Sequence, residues 1–124
     1  MRLGSIYHLA LRDEWLQAVD SGVGYRRSTL GRALEDEGFI HCSFADQVQR
    51  IADLVYRDRT DVVLLVIDPS RLGAEVRVEA TDGGDEAFPH IYGPVPPAAV
   101  VAVKDVPVDA AGRLTVEPLL QSGR

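Results

Sequence analysis

The stretch DVVLLVID, Asp61 to Asp68, decides the fold, because six consecutive apolar residues between two acids leave it no polar face. A strand covered on one side alternates apolar and polar residues, whereas a strand buried on both sides is apolar throughout. Pro69 closes the run at a length suited to a strand rather than a helix. This segment reads as the centre of a sheet.

Working toward the N-terminus, SFADQVQRIADLVYRDR (43–59) places Phe44, Val48, Ile51 and Val55 at helical spacing, with Ser43 as N-cap and Asp46 three residues on. EGFIHC (37–42) before it reads as a strand, and GVGYRRSTLGRALEDEG (22–38) as a loop with at most one helical turn. The opening LGSIYHLAL is a strand that passes into a helix in DEWLQAVDSG. There Asp13 caps, Trp15, Ala18 and Val19 share one face, and Gly22 is the stop signal. Toward the C-terminus, AEVRVEA (74–80) alternates as a half-exposed strand, and AAVVAVKDV (98–106) is another strand. Between them TDGGDEAFPHIYGPVPP (81–97) reads as a Gly/Pro-rich connection around one aromatic island. LTVEPLL (114–120) reads as a short edge strand, since Pro118 cannot donate to a ladder. About six strands and two helices, both helices in the first half, give an α+β class.

The 124 residues and 46% hydrophobic content fit one domain, 1–124, with its core over about residues 5–118. Cys42 is the one cysteine and has no partner for an internal disulfide; it reads as an inert buried thiol. With no export signal and no long apolar run, a cytoplasmic location and no membrane contact are expected. The net charge of −6 works against nucleic acid as a partner and leaves a small molecule as the easier ligand. The oligomeric state is not legible.

Three histidines occupy apolar or aromatic company, in SIYHLAL (His8), GFIHCSF (His41) and FPHIYGP (His90). Strand parity sets Phe39, His41 and Ser43 on one face and Ile40 with Cys42 on the other, and it pairs His90 with Tyr92 away from Ile91. A histidine in an apolar strand most often bonds its ring nitrogens to backbone, so a core role stands beside a functional one. Three such placements point to a shared site. No HxH or HxxxH spacing supports a metal, so none is expected. The acids Glu79, Asp82, Asp85 and Glu86 read as a solvated loop, with Glu79, at a strand end, the candidate catalytic carboxylate. Arg26, Arg27 and Arg32 form a basic cluster that reads either as a phosphate clamp or as a solvated loop.

SIYHLA, GFIHCSF with Gln47 following, LLVIDP and FPHIYGPVPPAAV together resemble the family catalogued as domain of unknown function 952, over about residues 5–105. More distantly, the order of elements resembles the tRNA 2′-phosphotransferases and the ADP-ribosyltransferase superfamily: Tyr7-His8, a helix around Trp15, His41 with Ser43, VVLLVID, and VPP at Val95 to Pro97. That resemblance implies a split, mostly antiparallel sheet with two helices that cradles a nucleotide, with NAD as cofactor. The implied activity is ADP-ribosyl- or phosphotransfer. His41, His90 and Glu79 would be catalytic, and His8, Ser43, Tyr92 and Arg26 would bind the ligand. A catalytically inactive nucleotide-binding domain, or a structural or interaction domain, is the alternative.

Overall fold

The computed structural model describes residues 4–80 and 84–120. Six strands form two antiparallel three-stranded sheets: β1 (Ile6–Leu11), β3 (Val62–Ile67) and β6 (Val100–Asp105) in the order β1-β3-β6, and β2 (Ile40–His41), β5 (Phe88–Ile91) and β4 (Val76–Glu79) in the order β2-β5-β4. Three helices accompany them among the described residues: α1 (Arg12–Ser21), the single turn α2 (Leu34–Glu37) and α3 (Val48–Val55). The class is α+β with open antiparallel sheets. The sheets meet at one bridge, where Tyr7 and Ser43 exchange backbone hydrogen bonds of 2.8 Å.

β3 is the centre of the first sheet and is covered on both faces. Val63, Leu65 and Ile67 enter one core with Ile6, Ala10, Trp15, Tyr25, Ile40 and Ile91, while Val62 and Leu64 enter a second with Leu9, Val48, Ala52, Leu114 and Val116. Each fully buried aliphatic side chain contributes about 1.5–3 kcal/mol, which is why the continuous apolar run fixes its place between two layers. The first core continues under the second sheet through Ile40, Cys42 and Ile91. The opposite face of that sheet is left to Phe39, His41, His90, Arg77 and Glu79.

Several expectations are corrected. The aromatic island is a strand: β5 is the middle of the second sheet, despite Pro89. Pro89 sends its C=O to the Cys42 N–H (3.0 Å), and the missing N–H faces the same side, where β2 has already ended. LTVEPLL makes no strand; Leu114 forms an isolated bridge with Val108, and Glu117–Leu120 is a 3₁₀ turn. Its backbone instead bonds the Gln49 carboxamide, whose Nε2 donates to Leu114 O (2.8 Å) and whose Oε1 accepts from Val116 N (2.8 Å) and Glu117 N (3.0 Å).

Ser43 is not an N-cap, because the Tyr7 bridge holds its backbone extended and a turn intervenes before Gln47 caps α3. Asp13 likewise lies in the first turn of α1 behind Leu11, and Val19 is exposed beside the buried Trp15 and Ala18. Gly22 does end α1, in the left-handed region at φ +75°. No helix among the described residues is long and apolar enough to cross a membrane.

Candidate functional site

The outer face of the second sheet is built by register. Pairing of His41 with His90 and of His90 with Arg77 lays three chemistry-bearing side chains in one row across β2, β5 and β4. The rows on either side supply Phe39 and Tyr92, and Phe88 opposite Glu79. Rings pack tightly here: Phe39 stacks on His90 at 4.0 Å, His41 lies 5.4 Å from His90 and 4.8 Å from Phe88, and the Arg77 guanidinium sits 4.4 Å over the Tyr92 ring.

Glu79 organises the polar part. His90 Nδ1–H donates to its Oε2 at 2.9 Å, and the Tyr92 hydroxyl donates to the same oxygen. These bonds, Tyr92's first and His90's second, hold the Glu79 carboxyl below its ordinary range, and the same carboxylate raises the Tyr92 hydroxyl. With Nδ1 turned to Glu79, Nε2 is the ring nitrogen left over. That atom is buried and has no hydrogen-bond partner among the described residues. His41, half-buried, is held below the ordinary histidine range, chiefly by burial and then by the proximity of His90.

His8 lies across the seam, on the face of Ile6 and Ala10 rather than that of His41. Its Nδ1–H donates to His41 O (2.7 Å) and its Nε2 accepts from the Tyr25 hydroxyl (2.8 Å), so both ring nitrogens are held by the protein. Burial lowers it to about 4. His8 thus touches the group only through the His41 backbone carbonyl, whereas the rings of His41 and His90 meet directly and lead on to Glu79 and Tyr92. Ser43 joins it at the seam, where with His8 and His41 it lines a gap of about 10 Å³.

Arg26 does not join this group; it is exposed and paired with Glu35 at 2.6 Å. Arg27 and Arg32 also face acids, Glu14 at 3.7 Å and Glu37 at 4.0 Å. Asp82 lies outside the described residues, Asp85 is exposed, and Glu86 pairs with Arg50 while accepting from Gln47 (3.0 Å). Cys42 is buried and its thiol is pushed up by that burial, as expected of an inert residue.

Two cavities flank the cluster. One, of about 510 Å³, is lined by Thr29, Arg32, Glu37, Phe39, His41 and Ile51. The other, of about 460 Å³, runs along Gly22–Gly24, Gly73 and the Tyr92–Pro97 segment. Tyr92 lines the second and lies 5.6 Å from Phe39, which lines the first. Sequence reasoning missed Tyr25, Arg77 and Glu37. Arg77 sits on the face of Glu79 by simple alternation and could have been found, whereas Tyr25 stands in a loop without periodicity.

A protein-family model described as "Protein of unknown function (DUF952)" matches residues 9–103, from β1 into β6. The chain belongs to this family. The crystal structure of protein CC0527 from Caulobacter crescentus is similar, with a TM-score of 0.80 and 30% identity, covering 93% of this chain and 96% of that one. The solution NMR structure of CC0527 gives a TM-score of 0.78 and 31% identity, covering 96% and 98%. No curated protein matches the sequence. The DUF952 match takes in His41, Glu79, His90 and Tyr92.

Proposed function

We propose that the outer face of the second sheet is a nucleotide site for NAD or ADP-ribose, with transfer chemistry at the ribose. The observation that carries this reading is the Glu79–His90–Tyr92 cluster, with its unbonded imidazole nitrogen, set between cavities of about 510 and 460 Å³. The donor set suits the parts of such a ligand. Phe39 and Tyr92 offer ring faces to a base, and Arg77, paired at 3.2 Å with the exposed Glu75, would exchange that partner for a diphosphate. Neutral imidazoles offer donors and acceptors to ribose hydroxyls. NAD would be the donor substrate, supplying a ribose C1′ that becomes electrophilic as nicotinamide leaves. The resemblance of the motif order to that of the ADP-ribosyltransferase superfamily supports the same ligand class.

His8 contributes from behind, by fixing the His41 carbonyl. Ser43 holds the seam. Arg26 stands on the rim of a separate cavity of about 340 Å³ and would reach a ligand only from there. A binding domain without catalysis is the second reading, favoured by one observation: the free ring nitrogen of His90 is buried, with the Phe39 ring stacked on the imidazole.

The test is proton NMR of the three histidine ring C–H signals during titration with NAD and then ADP-ribose. Saturable shifts of the His41 and His90 signals, with a smaller shift of His8, are expected. Three unmoved signals would refute the nucleotide reading for these ligands.

A further inference from the structure

We infer that Glu79 and His90 form a carboxylate–imidazole base that takes the proton of a hydroxyl acceptor, water or an alcohol, in the transfer reaction. This rests on the nucleotide reading and names its second substrate.

The contrast with His8 carries the inference. Both histidines are buried in strands, yet His8 is satisfied on both nitrogens by neutral groups, a carbonyl and a phenol. His90 has an ionised carboxylate on Nδ1, and its buried Nε2 is unbonded among the described residues. A buried acceptor left unbonded requires an explanation, and a catalytic role is one. A carboxylate on one ring nitrogen fixes the tautomer and offsets the charge that arrives when the other nitrogen takes a proton. The hydrogen bond from Tyr92 and then that from His90 itself favour the ionised carboxylate, with Arg77 adding least. His41, 5.4 Å away and favoured neutral, does not compete with His90 by presenting a second charge.

Access is through Phe39. Its ring covers His90 and also lines the cavity of about 510 Å³, so displacing it joins the imidazole to that space. In the step, the acceptor O–H bond breaks and its proton passes to Nε2. The oxygen forms a bond to ribose C1′, and the bond from C1′ to nicotinamide breaks with its electron pair leaving on nicotinamide.

Three measurements on the whole chain test this. Ring nitrogen NMR of His90 is expected to show the hydrogen on Nδ1 and a bare Nε2; the opposite neutral tautomer would overturn the inference. Nicotinamide release from NAD, with and without methanol, is expected in the wild type, the products ADP-ribose and methyl ADP-ribose distinguishing water from alcohol as acceptor. His90→Gln is expected to lower kcat by about 10²–10⁴-fold with KM little changed. Glu79→Gln, at a partly exposed position, is expected to act in the same direction and carries the test should His90→Gln not fold. Wild-type protein that binds ADP-ribose but releases no nicotinamide, or variants that turn over at the wild-type rate, would overturn the inference and leave the nucleotide reading intact. Wild-type protein that binds neither ligand would overturn both.

Discussion

His8 shows how far a single residue's surroundings can set its chemistry. Burial lowers its pKa from the ordinary 6.5 to about 4, so the folded protein keeps the ring neutral where the unfolded chain takes up a proton. Between those two values the unfolded state binds more protons, and stability therefore falls as pH drops. The contribution is complete above pH 6.5, is lost progressively down to about pH 4, and does not fall further below that. At about 1.4 kcal/mol per pH unit the loss is on the order of 3 kcal/mol. Urea unfolding midpoints measured from pH 7 to pH 4 should show this decline, and His8→Gln should make it shallower, the lowered His41 keeping a decline of the same sign. Tyr25→Phe removes the hydroxyl that bonds Nε2 and leaves a buried acceptor unpaired, at a cost of about 1–3 kcal/mol in the same assay at pH 7.

At the level of elements, two glycines separate backbone strain from steric crowding. Gly38 ends α2 at φ +88°, and a Cβ there would meet nothing within 4 Å. Gly38→Ala should therefore cost only the left-handed penalty, about 1–2 kcal/mol, seen as a lower Tm. Gly112 has φ +84°, and a Cβ there would fall 1.8 Å from Asp58 Oδ1. Gly112→Ala adds displacement of that carboxylate to the same penalty and should lower Tm further than Gly38→Ala. Strand β5 marks the limit of local reading at this scale. Phe88 to Ile91 contains a proline and is flanked by glycines, signals that ordinarily demote a strand, yet β2 and β4 pair with it from both sides.

Across the whole molecule, the C-terminal segment is fastened to α3 by one buried carboxamide. Gln49 serves the carbonyl of Leu114 and the N–H groups of Val116 and Glu117, while Leu114 and Val116 fill the second core. Gln49→Ala would leave these backbone groups without their partner, a loss on the order of 3 kcal/mol. Hydrogen exchange should show residues 114–117 losing protection well before β3. Equal loss in both places would mean that the segment does not open separately.

The sequence by itself determined the central strand, the α+β class and the parity of the histidine motifs, because each follows from the period of 2 along a strand or from an unbroken apolar run. It also singled out Glu79, His90 and Tyr92, though not as one cluster. Which nitrogen meets which oxygen was left to the tertiary structure. The partners of His90, Tyr92 and His8 stand 11, 13, and 17 or 33 residues away in the chain. The register of β4 on β5, the Tyr7–Ser43 seam and, for Tyr25, its bridge to Val95 bring them within bonding distance. The start of α3 and the fate of LTVEPLL were decided in the same way, by backbone groups that found a bridge or the Gln49 carboxamide, since buried polar groups take the partner that packing supplies.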